Sequence, residues 1–203
     1  EAFRNGAYDV STFGGVVLFT DQLTRNPGAR YWIPSTDEWM KAAHWDPNRN
    51  GEGEGGWWNY SNSSDSPLVY GPPGAMVNGQ LATANAAWDI FDFPGSNPFN
   101  VPLGAYSVTS PWGLFDVAGG TKEWTEGVFQ IPSEQYPRSR YADGSGWEDP
   151  TSGSADSVGG LGASSDPTFR GYEVGFRVAS IPSVATIAPI MCLLAPNRRR
   201  RGQ

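Results

Sequence analysis

The chain has 203 residues, with 26 glycines, 17 prolines, 13% aromatic and only 17% charged residues, a size that fits one domain or one domain with an appendage. So few charges exclude a helical bundle, and nine tryptophans exclude a disordered chain. The net charge is -7 and all 21 acidic residues precede position 181; such a body repels phosphate backbones, which argues against nucleic acid as a partner.

The first residue is Glu1 rather than methionine, and the sequence is read as a piece of a longer or processed chain. Ser11 as an N-cap, apolar Phe13, Val16, Val17 and Leu23, and a stop at Asn26-Pro27-Gly28 predict a helix within 10–28, weakened by Gly14 and Gly15. In "IPSTDEWMKAAH" (33–44), Ser35 followed by Glu38 forms a capping box, so a short helix is expected. His44 falls near its end, where a positive charge is favourable.

Residues 46–79 are rich in Gly, Pro, Asn and Ser and read as a long surface excursion. Trp57 and Trp58 either dock this loop onto the core or, with Tyr60, offer a stacking platform to a sugar. Farther on, "GLFDV" (113–117) and "KEWTEGVFQI" (122–131) are strand candidates around a glycine turn. A second loop-rich stretch covers 143–167. It leads to a closing strand, "GYEVGFRVAS" (171–180), with Val174, Phe176 and Val178 on one face.

After residue 180 the character changes: an apolar stretch from Val184 to Pro196 precedes Arg198–Arg201. Thirteen residues with two prolines make a poor permanent membrane helix, and a sorting or processing signal fits better than a core strand with a solvated basic end. The expected organisation is a domain over 1–180 and a sorting or anchor segment over 181–203.

Four blocks, "VSTFGGVVLFTDQLT", "YWIPSTDEWMKAAHWDP", "SPWGLFDVAGGTKEWTE" and "GYEVGFRVAS", follow in the order seen in the formylglycine-generating enzyme family, also called the sulfatase-modifying factor domain. The chain resembles that family over roughly residues 5–180, without the usual N-terminal part. The resemblance implies an α+β, C-type-lectin-like fold, loop-rich with short strands and one or two short helices. It also implies calcium, held by Asp116 and Glu123 carboxylates and the Gly119 and Thr121 carbonyls. The chemistry is consistent, since calcium takes six to eight oxygens and glycine lets carbonyls turn inward. Gly120 stands where the family has asparagine. A second cation site maps more loosely onto Asn85, Ala86, Asn97 and Phe99, with Asn97 in place of a carboxylate. The structural alternative is that the two acids are solvated and Trp124 is core.

The tail is similar to a PEP-CTERM sorting signal, with "IPS" in place of Pro-Glu-Pro. That resemblance implies export to the cell surface or extracellular matrix after transient membrane anchoring, and a sorting enzyme as a partner.

The family's best-known reaction oxidises a cysteine with oxygen, using copper held by two thiolates, the soft ligands that Cu(I) requires. Cys192 is the only cysteine, so no disulfide and no thiolate pair can form within the chain, and no copper site is expected. A family branch with a three-histidine iron site is excluded in one chain by a single histidine, His44. The leading expectation is a non-catalytic, calcium-stabilised surface domain that binds an extracellular ligand or matrix component. The rivals are an enzyme using Glu148, Asp149 or Asp166 beside Trp147, and a carbohydrate-binding module built on Trp57 and Trp58. Trp147 is a further candidate ligand-binding residue.

Overall fold

The computed structural model describes residues 6–12, 20–135, 137, 139–146, 156–158, 163–165, 171 and 173–181. The tail with Cys192 and the arginine cluster, Trp147, Glu148, Asp149 and Asp166 all lie outside the described residues. Regular elements are short. In chain order they are a 3-10 turn at Val10–Thr12, β1 (Tyr31–Trp32), α1 (Thr36–His44), β2 (Trp45–Asp46), β3 (Gly56–Trp57), β4 (Met76–Val77) and β5 (Gln80–Leu81). There follow a second 3-10 turn at Pro98–Asn100, β6 (Lys122–Phe129), β7 (Ser139–Asp143), β8 (Ala163–Ser165), β9 (Val174–Phe176) and β10 (Ala179–Ser180).

The largest sheet has the order β8-β7-β6-β9; β6 runs antiparallel to β7 and parallel to β9. A register shift between Trp124 and Val128 marks a bulge in β6. Two-residue pairs, β1 with β10, β2 with β3, and β4 with β5, stitch the loops together. The β4–β5 hairpin turns through Asn78 and Gly79, both at positive φ, the residues such a two-residue turn demands.

The capping box is present: the Ser35 side chain accepts from Glu38 N at 3.1 Å, and Glu38 Oε2 accepts from Ser35 N at 2.9 Å. Helix α1 then buries Trp39 and Ala43 against Val117, with Met40 and Leu114 packed alongside. Gly144 closes this core. At φ 78° it lies so near that a Cβ would stand 2.8 Å from the Val117 carbonyl oxygen, a place only glycine fills.

Three sequence expectations are corrected. No helix runs through Thr20–Gly28, and the described residues at 10–12 form only a 3-10 turn; residues 13–19 lie outside the described set. The 20–28 stretch is instead fixed by side-chain bonds, with Gln22 Nε2 donating to Thr24 O and Asn26 Oδ1. Residues 113–117 are not a strand, because Asp116 takes φ 51° and turns the chain. His44 ends α1 as expected, but it carries no charge there. It is 1% exposed, burial pushes its imidazole down to about 4, and Nδ1 lies 3.2 Å from the Trp58 carbonyl oxygen. Its neutral ring thus serves the core.

The closing strand is divided into β9 and β10, and the face expected from alternation points largely to water: Phe176 is 64% exposed and Val178 is also exposed. Among the described residues no helix is long and apolar enough to cross a membrane.

Candidate functional site

The turn before β6 is shaped by two glycines at positive φ, Gly119 and Gly120. Gly119 packs onto another segment so tightly that a Cβ would stand 2.7 Å from the Asn85 backbone nitrogen, and Gly120 N donates to the Asn85 carbonyl at 2.7 Å. This close approach brings Asn85, of the second predicted cation set, against Gly119, of the first. Asn85, Phe99, Asp116, Gly119, Thr121 and Glu123 all line one groove of about 810 Å³.

Glu123 projects from β6 and is 6% exposed. Burial raises its pKa above the usual carboxylate range, and the Arg177 guanidinium and Trp39 indole partly offset that cost. The contacts are direct: Trp39 Nε1 and Arg177 Nε each donate to Glu123 Oε2 at 2.7 Å. Across the ladder, the register sets Asp143 opposite Glu123, so a second buried carboxyl group belongs to the same cross-strand pair. Asp116 Oδ2 accepts from Gly104 N.

Asn85 is 8% exposed. Its Nδ2 donates to the Pro98 carbonyl at 2.9 Å, while its buried Oδ1 has no hydrogen-bond partner. A buried amide oxygen without a donor is costly, and Asn85 is one of the residues that line the groove. Ala86 is buried beside it. Asn97 uses its Oδ1 to cap the 3-10 turn, accepting from Phe99 N at 2.9 Å. Around the opening stand exposed apolar side chains, Leu103 at 93% with Phe99, Phe115 and Phe176.

The polar donors that such a site offers are hard oxygens: an amide oxygen, two carboxylates and the carbonyls of a glycine turn. That set fits calcium, and it does not fit a soft metal. Among the described residues no group of three or more His, Cys, Asp and Glu gathers as a metal cluster, so any cation here must draw on amide and backbone oxygens as well.

The tryptophans flagged in the sequence sit elsewhere. Trp57 is 42% exposed and meets Trp45 edge-on, with ring centres 5.2 Å apart. Trp58 donates Nε1 to Asp46 Oδ2 at 3.1 Å, and the Arg49 guanidinium covers its ring at 4.4 Å. Arg49 also bonds the Trp57 carbonyl and Asp65. Tyr60 forms backbone bridges with Ser64 and Ser157.

Sequence reasoning missed Arg177, Trp39 and Gly104. Arg177 lay inside a block read as a strand, and a charge in the middle of an apolar alternation was the available signal. Trp39 was visible as an apolar helix position, but its indole donor reaching a residue 84 positions away could not be read locally.

The short strands, the short helix α1 and the long connections define a loop-rich α+β domain. Residues 8–181 match the model of the sulfatase-modifying factor enzyme 1-like domain, and the chain belongs to that family. Among solved structures it is similar to CarF, with a TM-score of 0.50 and 23% identity over 78% of this chain and 50% of that one. It is also similar to PvdO from Pseudomonas aeruginosa (0.44, 22%, 73% and 51%) and to Treponema denticola variable protein 1 (0.47, 21%, 78% and 51%). At such identities the CarF likeness bears on the fold alone, and the chain spans about half the length of these structures. No curated protein matches the chain.

Proposed function

We propose that this chain is a non-catalytic member of its family, a calcium-stabilised domain directed to the cell surface that binds an extracellular ligand or matrix component. The observation that carries the cation assignment is the buried, unpartnered Asn85 Oδ1 in a groove it shares with Asp116 and buried Glu123. Asp116, Glu123 and the carbonyls of Gly119 and Thr121 would hold one ion; Asn85 with the neighbouring Ala86, Asn97 and Phe99 would hold another. When bound, the ion supplies charge compensation that ties three distant segments together. The chain itself provides the glycine turn and the Trp39 indole that bonds Glu123 from the core.

The absence of catalysis is supported by the single cysteine, which cannot make the thiolate pair that family resemblance associates with copper. Expressing residues 1–181 and assaying peptide cysteine oxidation with copper and oxygen tests it: turnover above background ends the non-catalytic reading. Thermal unfolding with calcium and with chelator tests the ion. A ligand that binds only the native state at ~100-fold excess over its dissociation constant raises stability by roughly 2.7 kcal/mol, and no shift removes the assignment.

Surface delivery rests on the apolar and basic tail, and is tested by following a fluorescent fusion of residues 181–203 in an exporting bacterium. A second reading, glycan binding, draws on half-exposed Trp57; a tryptophan fluorescence shift with a glycan panel, lost in Trp57→Ala, would favour it.

A further inference from the structure

Arg177 follows β9 and makes three short bonds. Nε donates to Glu123 Oε2 at 2.7 Å, and Nη2 donates to the carbonyl oxygens of Phe115 at 2.9 Å and Asp116 at 2.6 Å. Trp39 Nε1 brings a second donor to the same Oε2. A carboxylate oxygen accepting from an indole and a guanidinium has both lone-pair directions used, which leaves Oε1 as the oxygen able to face a cation. The same guanidinium grips the corner where Asp116 sits at φ 51°, a backbone conformation that a side chain-bearing residue keeps only when its surroundings hold it there.

We infer that Arg177 is the positioning residue of the cation site: its one planar guanidinium makes Glu123 a one-oxygen ligand and fixes the 115–116 corner that presents the Asp116 carboxylate. The inference rests on the calcium reading above, and goes beyond it by assigning a residue that contributes no oxygen. The planar fork matters more than the positive charge. Lysine supplies a compact charge on a flexible stem and cannot span a carboxylate and two carbonyls in one plane. Calcium accepts carboxylates with one or both oxygens, so releasing Oε2 changes how the remaining coordination positions are filled.

Terbium, which takes calcium's place and is excited through nearby tryptophan, gives a direct readout, because its emission lifetimes in light and heavy water count the water molecules bound to the ion. In Arg177→Gln and in Arg177→Lys the count is expected to fall by about one as Glu123 engages with both oxygens. Both variants are also expected to lose more melting temperature in chelator than in calcium, since the ion takes over part of the lost tie. An unchanged water count with equal losses in both conditions would make Arg177 a structural anchor only and overturn the inference. So would wild-type values in Arg177→Lys, which would mean that charge alone suffices. If wild-type protein binds neither terbium nor calcium, the cation reading itself fails, a result distinct from either.

Discussion

Two neighbouring residues of helix α1, Glu38 and Trp39, look onto opposite kinds of polar chemistry. Around Glu38 the charges are answered within the chain: Glu38 accepts from Ser35, Trp32 and Arg25, and Arg25 lies 4.2 Å over the Trp32 ring. Glu126 takes the Tyr8 hydroxyl at 2.7 Å and the Arg25 backbone at 2.9 Å, while Arg140 donates to the Glu126 carbonyl. On the groove side, at the very next residue, Trp39 reaches Glu123, yet elsewhere in the groove lining Asn85 has a buried Oδ1 with no hydrogen-bond partner, and large apolar side chains stand in water. A network closed on itself stabilises without help, whereas an open one earns its order from what binds it. The difference separates the part of the domain that specifies the fold from the part that is available for function.

Four measurements bear on that contrast. The largest effect is expected from Glu126→Ala, which leaves the Tyr8 hydroxyl and the Arg25 backbone N–H without an acceptor; at roughly 1–3 kcal/mol for each unsatisfied group, it is expected to cost about 3–5 kcal/mol in chemical denaturation. Because the closed network needs no ion, the loss should be the same in calcium and in chelator; a calcium-dependent loss would break the contrast.

His44 gives the next effect. Its imidazole is pushed down to about 4 in the folded state, so between pH 6.5 and 4 the unfolded chain binds the proton more readily. Stability due to this group is therefore full above pH 6.5 and is lost as pH falls toward 4, by roughly 3 kcal/mol in all. His44→Gln should flatten the pH profile of the melting temperature over that window.

Asp116→Asn keeps an oxygen for Gly104 N but removes a charge from the groove. Little should change in chelator, while the share of the calcium-dependent gain that belongs to the ion at Asp116, roughly 2.7 kcal/mol at ~100-fold excess, should disappear. An equal loss in both conditions would place Asp116 with the closed network instead. The smallest effect is expected from Ser35→Ala, about 1 kcal/mol from the lost cap, again independent of calcium, as read from denaturant midpoints.

What the sequence revealed divides along the same line. The capping box of Ser35 and Glu38, the β6 strand and the glycine turn are local features, written in neighbouring residues, and the structure reproduces them. Family membership was legible because four separate blocks fell in order. The helix expected within 10–28 was not formed over 20–28, because there Gln22 and Asn26 satisfy the backbone and each other through side-chain bonds that compete with helical ones. His44 was placed at the helix end, where the structure has it, but its burial, which removes the charge expected there, was not visible locally. The groove's orphaned oxygen depends on Asn85 meeting Gly119 across 34 positions, and local pattern carries no trace of such a meeting.

The pairing of β1 with β10 has a mechanical side. Tyr31 and Trp32 hold Ser180 and Ala179 through a two-residue ladder, immediately before Ile181. A pull applied beyond Ile181 loads that clasp first, and two residues of ladder peel apart at little force. The next resistance is Arg177, anchored at three oxygens behind β9. A pull on the chain at that end would thus meet the guanidinium next, and load the groove that Arg177 lines.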